Sequence, residues 1–219
     1  MFRPYNLIRY PKLVDMLNCK YIIGPSLPDD LSRFDPKTQS VMKEIRRYFS
    51  RFTLIHKGRA SAVYENDSVL PRAYLVQDYR VVKPDQALEF IKSPEFNPYT
   101  TVVLEQDPKL PHPDTASHYI PGEILAYKPN RISCHIRTSK PGFLVLVDNW
   151  HPDWKVFVDR KERKLYRANY TFRAVYLGPG EHRVVFEYRS KFFNIGRLLT
   201  ILGLVLVVAL SVVTIKFNI

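Results

Sequence analysis

Several things are missing or scarce in this chain of 219 residues, and each absence excludes something. Ionisable side chains are absent from Leu198–Ile215, which reads LLTILGLVLVVALSVVTI. About 18 residues rising roughly 1.5 Å each span roughly 27 Å, close to the thickness of a hydrocarbon core. A run with no polar face is not a surface helix, and one segment cannot close a barrel. The stretch 195–216 therefore reads as a transmembrane helix, with a buried core helix as the alternative. Cysteine is limited to Cys19 and Cys134, too few for a disulfide framework. Each lies in an apolar pattern that suits a small core residue, although a bond between the two would be possible outside the cytoplasm. Glycine is scarce (8) beside proline (17), so turns rest more on proline. No Gly-rich phosphate loop, Gly-x-Ser-x-Gly or His-Glu-x-x-His occurs, which leaves a hydrolase little support. The paired acids Asp29-Asp30 and Asp148/Asp153 read as loop residues, and no catalytic residue is assigned. His112, Asp114 and His118 meet no metal-ligand spacing and read as a polar loop, so no metal or cofactor is expected. Met1–Asn6 lacks the apolar core of a signal peptide.

What is present is a basic, aromatic-rich chain. The net charge is +12, and aromatic residues make up 13%. Such a surface suits anionic lipid or a polyanionic polymer; the basic residues are too scattered for a nucleic-acid interface, and no nucleic acid is expected. Short helical and strand patterns mix over 1–106, which reads as a small α+β region. Ser40–Phe52 is amphipathic, with Val41, Met42, Ile45, Phe49 and Phe52 on one side. Lys43, Arg46, Arg47 and Arg51 gather on the other, as candidate contacts for phosphate or anionic lipid. The alternative is a helix that packs its apolar side on its own domain. Residues 107–121 are crowded with proline and read as a linker. Over 122–190, seven short strands separated by Pro, Gly and Asn turns predict an antiparallel, jelly-roll-like β-sandwich.

The densest local feature is Asp148-Asn-Trp-His-Pro-Asp-Trp154. Aromatic faces beside carboxylates are how proteins grip sugars: rings stack on apolar sugar faces and hydroxyls take the hydrogen bonds. Asp148, Trp150, Asp153 and Trp154 are the candidate sugar-binding residues. In the competing interpretation Trp154 is core and Trp150 covers a sheet edge.

This segment and its surroundings resemble the extracytoplasmic C-terminal region of bacterial YfhO-family membrane proteins. Gly142-Phe-Leu-Val-Leu-Val147, Trp154-Lys-Val-Phe-Val-Asp159, Ala168-Asn-Tyr-Thr-Phe-Arg-Ala-Val175 and Gly180-Glu-His-Arg-Val-Val-Phe-Glu-Tyr188 carry the resemblance, followed by the terminal helix. Leu17-Asn-Cys-Lys-Tyr-Ile-Ile23, Val63-Tyr-Glu-Asn66 and Leu70-Pro-Arg-Ala-Tyr74 add to it. One departure is Arg160, where the family usually places Gly. A turn needing φ > 0 would be strained with Arg, so a longer loop over Arg160–Arg163 is expected.

The resemblance implies a polytopic protein with a glycosyltransferase-like membrane domain of the GT-C kind, which moves sugars from polyprenyl-phosphate carriers to cell-envelope polymers. That domain is absent from this chain. The expected function is then an extracytoplasmic accessory or acceptor-binding region of such an enzyme. A non-enzymatic membrane-anchored carbohydrate-binding or assembly module is the alternative. Expected partners are the lipid bilayer, an anionic envelope polymer or polyprenyl-phosphate sugar, and a separate membrane domain. Sidedness divides the signals: Arg189, Lys191 and Arg197 precede the helix and only Lys216 follows it, which favours a cytoplasmic soluble part. The resemblance places that part outside the cell membrane. Asn66-Asp-Ser68 and Asn169-Tyr-Thr171 match the glycosylation pattern, a match common by chance.

Overall fold

A computed structural model describes residues 10–113 and 118–217. Met1–Asn6 and Asp114 lie outside them, so the signal-peptide expectation and one of the loop acids have no structural counterpart. The chain opens with the short helix α1 (Pro11–Met16) and strand β1 (Tyr21–Pro25). Helix α2 (Pro36–Phe49) starts four residues before the expected amphipathic segment. The reason is its cap: the Asp35 carboxylate accepts from the backbone N–H of Lys37 and Thr38 at 3.0 and 3.1 Å, and Pro36 occupies the first turn. Strands β2 (Thr53–Lys57) and β3 (Ser61–Glu65) complete a three-stranded sheet ordered β1-β3-β2. Phe49 and Phe52 pack there with Val14, Ile22, Ile45 and Tyr64, so the C-terminal part of the apolar side of α2 is packed on its own domain while Val41 stays exposed.

The next strands are β4 (Ala73–Val76) and β5 (Asp78–Val81), then helix α3 (Ala87–Lys92) and β6 (Thr101–Leu104). After the Pro-rich stretch come β7 (Ile120–Pro121), β8 (Glu123–Lys128), β9 (Arg131–Thr138), β10 (Gly142–Leu146), β11 (Trp154–Val158), β12 (Lys161–Arg163), β13 (Tyr166–Ala168), β14 (Phe172–Leu177) and β15 (Gly180–Tyr188). They form a seven-stranded sheet ordered β5-β6-β13-β14-β10-β4-β7 and a five-stranded sheet ordered β12-β11-β15-β9-β8. All pairings are antiparallel except β5 with β6. The sandwich expected within 122–190 thus recruits β4, β5 and β6 from before the Pro-rich stretch.

Two cores follow from this arrangement. Leu75, Leu144, Leu146 and Val175 of the larger sheet meet Ile132, Cys134, Val156, Val184 and Phe186 of the smaller one. On the larger sheet's other face, Tyr74, Phe143, Val145 and Ala174 pack with Ile91, Phe96 and Met16. That sheet is covered on both faces, which is why β4 and β10 are continuous apolar runs buried throughout.

The β11–β12 hairpin corrects an expectation. Its turn is Asp159 and Arg160, with φ of 50° and 68°, and β12 begins at Lys161. Two successive positive φ values define a tight hairpin turn whose twist matches the strands. The loop over Arg160–Arg163 does not form. Asp159 is fixed there by His182 at 2.8 Å and by the backbone N–H of Arg183 at 2.9 Å.

Both glycosylation-pattern asparagines are buried and engaged. Asn66 donates to Asp15 at 2.8 Å, and Asn169 accepts from the backbone N–H of Val103 at 2.9 Å. The cysteines are free thiols.

Helix α4 (Lys191–Phe217) follows β15 after two residues. Its stretch Ile195–Val213 has mean hydropathy 2.4 and no contact burying it, so it is long and apolar enough to cross a membrane. The fold is an α/β N-terminal part, antiparallel sheets and one such C-terminal helix.

Candidate functional site

The segment 148–154 leaves the end of β10 and crosses to β11, bridging the two sheets. Asp148 is anchored at once. Its Oδ1 accepts from Tyr127 Oη at 2.9 Å and faces Arg72 Nη1 at 3.3 Å. Arg72 in turn donates to Tyr127 Oη at 2.6 Å and lies 4.9 Å from its ring centre. Burial, then the hydrogen bond to Asp148, pushes the Tyr127 phenol above its ordinary value.

Behind Asp148 sits Arg173 of β14, only 4% exposed. Its guanidinium lies 3.7 Å from the Trp154 ring centre, and its Nε–H donates to the Asn149 carbonyl at 3.0 Å. Nη2 stands 4.0 Å from Asp148 Oδ2. Burial pushes Arg173 below its ordinary value, and Asp148 opposes that shift. Three buried polar atoms here, Asp148 Oδ2, Trp150 Nε1 and Arg173 Nη1, have no hydrogen-bond partner among the described residues. They belong to adjoining chain segments, joined by the Trp150 N–H to Thr171 carbonyl bond at 2.6 Å. A buried donor or acceptor left unsatisfied costs about 1–3 kcal/mol.

Trp150 is half-buried, with the Arg167 guanidinium 5.9 Å from its ring centre. Trp154 is 9% exposed and packs edge-on against Tyr188 at 5.5 Å. The two indoles wall one cleft of about 270 Å³, shared with Lys155, Arg163 and Lys164. Asp148 and Asp153 are not among its walls. Asp153 instead faces the foot of β15: its Oδ2 accepts from Tyr188 Oη at 3.4 Å and its carbonyl from the Arg189 N–H at 2.8 Å. The cations of the cleft escaped the sequence reading. The signal was the run Lys161-Glu-Arg-Lys164, in which Arg163 ends β12 and Lys164 follows it, beside the tryptophans.

The second candidate group lies elsewhere. Lys43, Arg46 and Arg47 are exposed on α2. Arg46 donates to the Pro28 carbonyl at 2.5 Å and borders a cleft of about 230 Å³ with Phe49 and Tyr64. Arg51 does not join them. Its Nη2 lies 2.8 Å from Asp15 Oδ2, and Asp15 is buried, with Asn66 and Tyr99 also bonded to it. Burial and then the Asp15 charge push the Tyr99 phenol up to about 12. His112 stacks on Tyr79 at 4.3 Å and bonds Asp78, and His118 stacks on Tyr99 at 5.5 Å. Among the described residues, no group of three or more His, Cys, Asp or Glu is placed to hold a metal.

No curated protein and no solved structure matches this chain. The model of one family, bacterial membrane protein YfhO, matches residues 118–200, from just before β7 into α4. Over that stretch, which contains the Asp148–Trp154 segment and leads into an apolar helix of spanning length, the chain is similar to the YfhO family of bacterial membrane proteins.

Proposed function

We propose that this chain is the extracytoplasmic, glycan-binding region of a polytopic membrane glycosyltransferase, tethered by α4 and serving a membrane domain supplied by other spans. The observation that carries this reading is the shared cleft of Trp150 and Trp154, bordered by Lys155, Arg163 and Lys164. Two indoles offer faces to sugar rings, and three cations against Glu162 offer charge to phosphates along an anionic polymer. Asp148 and Arg173 act behind the cleft, holding Trp154 and the 149–150 backbone in place. Lys43, Arg46 and Arg47 are a second phosphate contact on a separate cleft. The chain contributes binding, and the sugar transfer belongs to the membrane domain.

The protein holds two tryptophans, and both line this cleft, so their fluorescence reports on it directly. The full chain in neutral detergent, titrated with a glycerol-phosphate envelope polymer, is expected to change its emission in a saturable way. Trp150→Ala is expected to weaken binding about tenfold at unchanged melting temperature, a loss of roughly 1.4 kcal/mol. An emission that ignores the polymer, or a Trp150→Ala variant that melts early and binds normally once folded, overturns the assignment. Protease added to intact cells tests sidedness: the domain is degraded if it lies outside.

A further inference from the structure

We propose that the outer face of the five-stranded sheet is a seat for the phosphate of an anionic phospholipid, in the leaflet that α4 enters. On this face Phe157 of β11 lies opposite Val185 of β15. Around that apolar floor, Arg131, Arg160, Arg183 and Arg189 border a cleft of about 750 Å³ with Asp159 and Glu187. Both carboxylates are already engaged. Glu187 is held by Arg189 at 2.6 Å and by Arg131 at 3.6 Å. Asp159 is held by His182 and the backbone N–H of Arg183. Arg160 and Arg183 are exposed, and neither guanidinium has an ion-pair partner among the described residues. The cleft therefore carries two uncommitted guanidiniums over an apolar floor, the form of site that takes a phosphate by paired hydrogen bonds.

Its position identifies the occupant. Only Ser190 separates Arg189 from α4, and the apolar span begins at Ile195. Two residues of extended chain and one helical turn amount to at most about 13 Å. The headgroup layer beside each face of the hydrocarbon core is roughly 5–8 Å thick, and an arginine side chain covers most of the remainder. Arg189, stacked over Phe157 at 4.9 Å, thus puts the lower edge of the cleft at headgroup level. With the outer face of the sheet lying along the bilayer, a headgroup phosphate bridges Arg160 and Arg183, roughly 20 Å along the strand from Arg189, while its glycerol lies on Phe157 and Val185, and the sheet is docked to the bilayer. This site depends on α4 spanning a membrane and not on the glycan reading of the tryptophan cleft.

The test uses the full chain in neutral detergent micelles, titrated separately with dihexanoyl phosphatidylglycerol, dihexanoyl phosphatidylcholine and inorganic phosphate, with binding read by calorimetry. Phosphatidylglycerol is expected to bind at least tenfold more tightly than the other two, and less tightly as salt rises. The double variant Arg160→Gln/Arg183→Gln is expected to lose that preference while keeping the wild-type melting temperature. Arg160→Gly with Arg183→Gln is a second route to the same loss, with a residue that suits the turn. Equal binding of phosphatidylcholine, equal binding of inorganic phosphate, or an unchanged preference in both variants overturns the proposal. Trp150→Ala is expected to leave the preference intact, which separates this site from the glycan cleft.

Discussion

Arg160 sits at φ 68° because the hairpin has two residues in which to reverse, and the turn that fits demands left-handed backbone from both. An L-residue with a β-carbon gives up roughly 1–2 kcal/mol in that region. Arg160→Gly is therefore expected to raise stability by about 1 kcal/mol, read as a higher denaturation midpoint at unchanged slope. The same substitution removes one of the two uncommitted guanidiniums of the arginine cleft, so stability and lipid preference are expected to move in opposite directions. The cysteines give a second test. Burial, with Asp148 nearby, pushes the Cys134 thiol up to about 12, and burial alone raises Cys19. A thiol whose pKa is raised on folding stabilises the fold below its ordinary value of 9.0 and loses that contribution as pH climbs from there towards 12. A thiol reagent at pH 8 is expected to label half-buried Cys19 and spare Cys134 until denaturant is added. Individual residues were partly legible from sequence. The period-2 pattern put Cys134 on the buried side of its strand, whereas Arg173 gave no sign of burial, because a single Arg inside Phe172–Leu177 reads as an outward position. The indole of Trp154, the carboxylate of Asp148 and the carbonyl of Asn149, all distant in sequence, make that site habitable for a charge.

Elements fared differently from their pairings. Alternation and the Pro129-Asn130 turn predict strands over Glu123–Lys128 and Arg131–Thr138, and β8 and β9 have those bounds. The partner of β4 was not readable. It pairs with β10, Leu75 opposite Leu144, across nearly seventy residues, and local pattern carries no information about contacts of that separation. Asn169 supplies one of those long links: its backbone and side chain both bond Val103 of β6, in place of ladder partners. Gly142 marks another close approach, since a β-carbon there would lie 2.6 Å from the Val76 carbonyl oxygen. Gly142→Ala is expected to destabilise by about 1–3 kcal/mol, because backbone on both sides of β10 leaves little room to yield. A melting curve checks it, and a neutral result would show that β4 and β10 are less closely paired than described. Trp154→Ala is expected to cost more, roughly 3–5 kcal/mol, as a large buried ring that also covers Arg173.

At the scale of the whole molecule there are three sheets, the seven-stranded one built from both halves of the chain, and one helix leaves them. The seven-stranded sheet crosses the Pro-rich stretch, so a fragment that starts at residue 122 lacks four of its strands, β4, β5, β6 and β7, and is expected to remain unfolded. A fragment 1–190 keeps every strand and is expected to fold as a water-soluble domain. The helix was the most legible feature of all, because an uncharged run of spanning length needs no partner to declare itself. The tryptophan cleft was half legible: its tryptophans stood out, and its cations emerged only once β12 was seen to fold beside them. Everything proposed for either cleft requires that α4 sit in a bilayer. The most direct test is flotation of the full chain and of fragment 1–190 with liposomes after an alkaline carbonate wash. The full chain is expected to float with the vesicles while 1–190 stays in the dense fraction, folded. A full chain that remains in the dense fraction as a dissolved monomer would contradict the membrane tether on which both proposals rest.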